Sequence, residues 1–170
     1  LDLDSEIASC VDLPPEFSTD PLGAVAVTPS GSRLFVYAPT TGALAELDTK
    51  SLEIARTGTV TGPVGGVPSS ARATATESTL YLSVHDQLTS VALDDLTPGE
   101  WTRVPGEITG IEPATDDSAL YVVLPDRVLV TDPRTFTWRR ELSVPPQSVP
   151  IDHVAPALPP ISGGYAKCAC

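Results

Sequence analysis

The sequence predicts an all-β chain assembled from one repeated four-stranded antiparallel sheet. Three observations carry that expectation. Apolar residues recur with a period of two, not with the 3.6 spacing of an amphipathic helix, and 18 prolines in 170 residues interrupt nearly every helical window. Short runs rich in Val, Leu, Tyr and Phe, at residues 24–27, 33–37, 43–47, 79–84, 88–93, 119–124 and 127–131, are separated by Gly, Pro, Asp, Ser and Thr. Finally, Leu34-Phe35-Val36, Leu80-Tyr81-Leu82 and Leu120-Tyr121-Val122 read as three copies of one strand.

Each copy follows a polar turn, which is Pro29-Ser30-Gly31-Ser32 in the first, Thr76-Glu77-Ser78 in the second and Thr115-Asp116-Asp117-Ser118 in the third. A hairpin and a further strand come next, and that strand ends at an aspartate turn. Asp4, Asp48, Asp94 and Asp132 serve as register marks, spaced 44, 46 and 38 residues apart, which gives a unit of about 40–46 residues, close to the size of a four-stranded propeller blade. One such sheet cannot bury both of its faces, so the expected architecture is a β-propeller, or a section of one, with neighbouring sheets stacked radially. The inner strands are expected at residues 23–27, 64–67 and 108–113, and the outer strands at 53–60, 101–104 and 136–144. Trp101 and Trp138 then lie on outer strands and pack between blades. The chain divides accordingly into the outer half of a blade (1–16), three blades (17–61, 62–107 and 108–148) and a Pro-rich C-terminal segment (149–170).

The first repeat carries a resemblance. Ala26-Val27-Thr28-Pro29-Ser30-Gly31-Ser32-Arg33-Leu34-Phe35-Val36, followed by Leu47-Asp48-Thr49, resembles the repeat of the bacterial YVTN β-propellers, in which a Thr-Pro-Asp-Gly turn precedes a Leu-Tyr-Val strand. The second repeat lacks the Pro-Gly turn, and Asp116-Asp117 stands in its place in the third. The likeness therefore spans about residues 20–145 with falling fidelity. It implies fold only, because the family includes surface proteins and lactonase-like enzymes.

Two closures of the ring are open. Residues 150–158 and 161–169 could complete the half-blade at 1–16, making four blades, or the chain is one section of a larger ring. A two-sheet sandwich also fits short strands and frequent turns. Six prolines between Pro145 and Pro160 remove ladder donors and weaken the four-blade version. The chain has no Met and begins at Leu1, so an upstream segment is expected to have been removed. Cys10, Cys168 and Cys170, without CxxC spacing, read as an oxidising-compartment staple in which Cys10 bridges Cys168 or Cys170. That places the chain outside the cytoplasm, as a periplasmic, secreted or cell-surface protein.

A formal charge of -12 repels phosphate backbones, so nucleic acid is not an expected partner. The longest uncharged apolar stretch, residues 119–125, is far shorter than the roughly 20 residues of a membrane-spanning helix. In an antiparallel blade the hairpin tips and the inter-blade connections share one side. The first candidates for ligand contact there are His85, Asp86, Asp126 and Arg127, although such residues also simply make turns. On the opposite side Asp94, Asp95, Asp116, Asp117 and Asp132 lack the DxDxDG spacing of a calcium loop and read as a solvated acidic rim. Cys168 and Cys170, with His153 upstream, could hold a soft metal, but they read first as the disulfide. No GxSxG elbow or other catalytic signature occurs, so no catalytic residue, resident metal or cofactor is expected. The functional expectation is a propeller scaffold that binds a protein partner, another propeller section or a small ligand. The alternative is a metal-assisted, lactonase-like hydrolase on a fuller ring.

Overall fold

The β-branched and aromatic runs form strands because their side chains fill a pleated surface that is covered on both sides. The computed structural model describes residues 11–17, 23–63 and 71–144. The first sheet runs β1 (Ala24–Val27), β2 (Arg33–Ala38), β3 (Ala43–Asp48) and β4 (Ile54–Thr59), in that spatial order and antiparallel throughout. The third repeats it with β10 (Gly110–Pro113), β11 (Leu120–Val123), β12 (Arg127–Thr131) and β13 (Trp138–Ser143). In the second, β5 (Ala71–Ala75), β6 (Thr79–Val84) and β7 (Gln87–Ala92) are followed by two short pieces, β8 (Thr97–Pro98) and β9 (Thr102–Arg103), which both pair with β7.

That split has a local cause. Pro98 offers no N–H, Gly99 instead donates to the Ser90 carbonyl at 2.7 Å, and Trp101 turns inward to donate its indole N–H to the Thr61 carbonyl at 2.8 Å. Trp101 thus packs against the interface between the first and second sheets, as expected. Trp138 sits beside Thr102 at the outer rim of the next groove and stays half exposed.

The inner strand expected at residues 64–67 lies outside the described residues, and the strand that pairs with β6 is Ala71–Ala75. Its alternating alanines have little strand preference on their own. They fit because β5 lies against both β1 and β10, where inner strands converge and only small side chains such as Ala24, Ala26, Ala71 and Ala75 can pack. Of the half-blade expected at residues 1–16, residues 11–14 carry no strand and Pro15–Phe17 forms one 3-10 turn, with the Phe17 N–H bonded to the Pro14 carbonyl at 3.0 Å. Pro14 and Pro15 cannot donate to a ladder. Val11, Leu13 and Phe17 instead cover part of the outer side of the first sheet, against Ala43, Ala45 and Leu47.

Period-two alternation along the second sheet feeds two interfaces. Along β6, Leu80, Leu82 and Val84 point toward the first sheet and join Phe35, Tyr37 and Leu44. Tyr81 points the other way, where it meets Leu120, Leu129 and Phe136 of the third sheet. Its ring lies edge-on to that of Phe136, with centroids 6.4 Å apart. Three copies of one strand therefore place Phe35 and Tyr81 in equivalent inter-sheet positions, 1% and 4% exposed, while Tyr121 at the same position is 37% exposed.

The turn between the third and fourth strands shows a second recurrence and corrects the register. Leu52, Leu96 and Phe136 all adopt left-handed φ values of 56–59°, a conformation that costs a side-chain-bearing residue about 1–2 kcal/mol. Each stands four residues after the equivalent of Asp48, which is Ala92 in the second repeat, not Asp94, and Asp132 in the third. Leu96 drops into the groove against Gly58 of the preceding sheet, and Phe136 against Tyr81. The strain is offset where the side chain is buried. Leu52, which has no such groove among the described residues, is 39% exposed. Replacing Leu52 by Gly should therefore raise stability by up to about 1 kcal/mol, whereas Leu96→Gly and Phe136→Gly should each cost about 2–5 kcal/mol, read from urea midpoints. Equal losses at all three positions would contradict this account of the turn.

Candidate functional site

Antiparallel pairing brings the tips of β6–β7 and β11–β12 to the same end of their sheets. His85 and Asp86 form the two-residue tip after β6, with His85 at a left-handed φ of 55°. Asp126 stands in the tip before β12, and Arg127 is the first residue of that strand. The connector after β9 links the two tips: the Asp86 and His85 carbonyls accept the Val104 and Ile108 N–H groups, each at 2.8 Å, and Arg127 Nη2 donates to the Pro105 carbonyl at 2.9 Å. Asp86 also pairs with Arg103 at 3.1 Å, and Arg127 with its neighbour Asp126 at 3.1 Å and with Glu141 at 3.7 Å. The four sequence candidates thus share one end and one connector, where they tie the second and third sheets together. A binding role there would use the polar groups that remain on that rim.

At the opposite end the aspartates act on their own backbones. Asp48 Oδ1 accepts the N–H groups of Lys50 and Ser51 at 2.9 and 2.8 Å, and Asp132 Oδ1 those of Arg134 and Thr135 at 2.9 and 3.1 Å. Asp95 and Asp116 hold the Thr97 and Ser118 N–H groups at 2.9 and 3.1 Å. All four carboxyls are held below their ordinary values, Asp48 and Asp132 chiefly by these backbone N–H groups, and Asp95 and Asp116 first by the Thr97 and Ser118 hydroxyls and then by the backbone N–H groups. Among the described residues no three of His, Cys, Asp and Glu gather to hold a metal ion. Cys10, His153, Cys168 and Cys170 lie outside the described residues.

The main buried charge sits between the first two sheets. The Glu46 side chain, 8% exposed on β3, accepts from Arg33 Nε at 2.7 Å and from Arg56 Nε at 2.8 Å. Both guanidinium groups continue across the interface: Arg33 Nη2 donates to the Leu93 carbonyl at 2.8 Å, and Arg56 to those of Leu93 and Asp94, both at 2.7 Å. Arg33 also lies over the Phe35 ring, 5.2 Å from its centroid. Burial pushes the Glu46 carboxyl up, but the two arginines outweigh it and hold the group below its ordinary value. A carboxylate satisfied on both oxygens by fixed cations is a structural tie with no spare capacity for proton transfer. This triad was not legible in the sequence, because Glu46 meets Arg56 and, diagonally, Arg33 only once the register pairs Glu46 with Phe35 and Arg56.

No protein-family model and no curated protein sequence matches the chain. Among solved structures it is similar to the hydrazine synthase of Kuenenia stuttgartiensis (TM-score 0.58, 17% identity), over 82% of this chain and 38% of that one. It is also similar to Hsv2 of Kluyveromyces lactis (0.54, 9% identity, 73% and 37%) and to the dihydro-heme d1 dehydrogenase NirN (0.50, 11% identity, 72% and 28%). These are propeller-type proteins. The likeness shows the fold, and each sheet is therefore a propeller blade. The chain spans less than half the length of each of these proteins. Among the described residues no helix is long and apolar enough to cross a membrane.

The Glu46 tie between blades has a pH signature. Because the folded carboxyl is held low, its stabilisation is complete above the ordinary carboxylate range near pH 4 and is lost as pH falls through the lower folded value. Glu46→Gln should cost about 1–3 kcal/mol at pH 7, and the gap between the two proteins should narrow below about pH 4 in urea titrations. A gap that does not change with pH would show that the charge is not what matters.

Proposed function

We propose that this chain is a section of a larger YVTN-type propeller, working outside the cytoplasm as a rigid scaffold for protein or small-ligand binding, with a further blade seated on the open face of its third sheet. The carrying observation is the asymmetry of the repeat positions. The residue that fills the groove toward the following blade is buried twice, as Phe35 and Tyr81, and 37% exposed the third time, as Tyr121. The residue that reaches back to the preceding blade is buried as Leu96 and Phe136 and 39% exposed as Leu52. Around Tyr121, cross-strand pairing puts Val123, Val128, Val130 and Leu142 on the same face, an apolar stripe flanked by Glu112 and Arg140, as the first interface joins apolar filling to the charges of Arg33, Glu46 and Arg56. Such a stripe calls for an apolar sheet as its occupant.

The YVTN assignment is supported by the turn-and-strand residues 26–36 and 47–49. The extracytoplasmic reading rests on Cys10, Cys168 and Cys170, and a protein or small ligand would meet the end bearing His85, Asp86, Asp126 and Arg127. The test compares the 170-residue chain with the protein purified from its natural source. The natural product should have a mass well above 17.8 kDa, and Tyr121 should react with tetranitromethane in the 170-residue chain while being as protected as Tyr37 and Tyr81 in the natural product. A freely nitrated Tyr121 in the natural product would overturn the larger ring.

A further inference from the structure

The two inter-blade interfaces differ in how one slot is filled, and the difference leaves a cavity. In the first, the triad of Arg33, Glu46 and Arg56 fills the slot above the aromatic ring of Phe35 and donates to the Leu93 and Asp94 carbonyls. In the second, the register puts Thr79, Ser90 and Gly99 at the same three positions, above Tyr81. Gly99 lies so close to Ser90 that even a Cβ would meet its Oγ at 3.3 Å, so a larger side chain there would project into the slot or displace Ser90. With no long side chain available, a cavity of about 300 Å³ opens between the second and third blades.

Its walls carry unequal chemistry. The second blade supplies the hydroxyls of Thr76, Ser78, Thr79 and Ser90, and the third supplies Asp117 and Arg134, with Pro133 beside them. Neither the Asp117 carboxylate nor the Arg134 guanidinium has a hydrogen-bond or ion-pair partner among the described residues. Both stand close enough to bear on the Tyr81 hydroxyl, whose pKa is raised by burial and then by the Asp117 charge, with Arg134 opposing. The carbonyls of Pro133 and Arg134 occupy the positions of Leu93 and Asp94, which in the first interface receive guanidinium N–H groups. Among the described residues nothing donates to them.

We propose that this cavity binds a free amino acid with a guanidinium side chain, which supplies from outside the guanidinium and carboxylate that the first interface builds from Arg33, Arg56 and Glu46. Its cation would meet Asp117 and the two free carbonyls, and its carboxylate would meet Arg134 and the hydroxyls, by the bidentate geometry that guanidinium and carboxylate favour. The size suits a single residue, at the lower end of small-molecule sites. This site lies at the opposite end of the blades from His85 and Arg127, and it is independent of the ring size proposed above.

The test is calorimetric titration of the 170-residue chain with free L-arginine, beside L-citrulline, which lacks the charge, and agmatine, which lacks the carboxylate. L-arginine should bind saturably, with both analogues at least about tenfold weaker. Asp117→Asn, which tolerates the left-handed φ of 56° at that position, should weaken binding by a similar factor without unfolding the chain. The combined substitution Thr79→Arg, Ser90→Glu and Gly99→Arg should rebuild the triad, fill the cavity and abolish binding, with circular dichroism confirming the fold. Absence of saturable L-arginine binding up to about 20 mM, equal binding of citrulline or agmatine, or undiminished binding by Asp117→Asn or by a folded triple variant would each overturn the proposal.

Discussion

A four-stranded sheet with apolar residues on both faces cannot exist alone in water, and every feature of this chain follows from how those faces are covered. β6 makes the constraint visible, since Leu80 and Leu82 enter one interface and Tyr81 the other. Truncating any one of these buried side chains would cost about 2–5 kcal/mol, a large share of the stability of a domain this size. The inner strands converge on small alanines, the outer strands diverge, and the turn residues Leu96 and Phe136 accept backbone strain in order to close the remaining grooves.

Within that common plan the two interfaces are finished differently. Between the first and second blades, buried charge replaces apolar filling: Glu46 holds two arginines that reach carbonyls of the neighbouring blade. Between the second and third, short hydroxyl side chains line a cavity at the corresponding slot. A repeat protein can vary such positions without touching the rest, because each blade contacts only its neighbours. Specific chemistry can therefore be placed in one interface while the strands keep one register.

Much of the fold was legible because period-two alternation and a recurring Leu-aromatic-aliphatic strand survive in a single sequence. Three things were hidden for physical reasons. The inner strand Ala71–Ala75 carries almost no strand preference and is set by crowding near the axis. The second repeat has Ala92 where the others have a capping aspartate, so Asp94 misled the register by two residues. The split outer strand followed from Trp101 leaving the ladder for Thr61. The hairpin-tip residues lie at one end because alternation of strand direction dictates that. The Glu46 triad and the hydroxyl-lined cavity depend on contacts between residues about 10 to 60 positions apart, which no local pattern announces.

The claim on which all of this rests is that neighbouring sheets hold each other face to face. A double-mutant cycle on Tyr81 and Phe136, the edge-on pair between the second and third blades, measures it directly through urea unfolding of Tyr81→Leu, Phe136→Leu and the double variant. The account predicts a coupling of about 0.5–1.5 kcal/mol between the two positions. Strictly additive losses would show that the two sheets are not packed against each other.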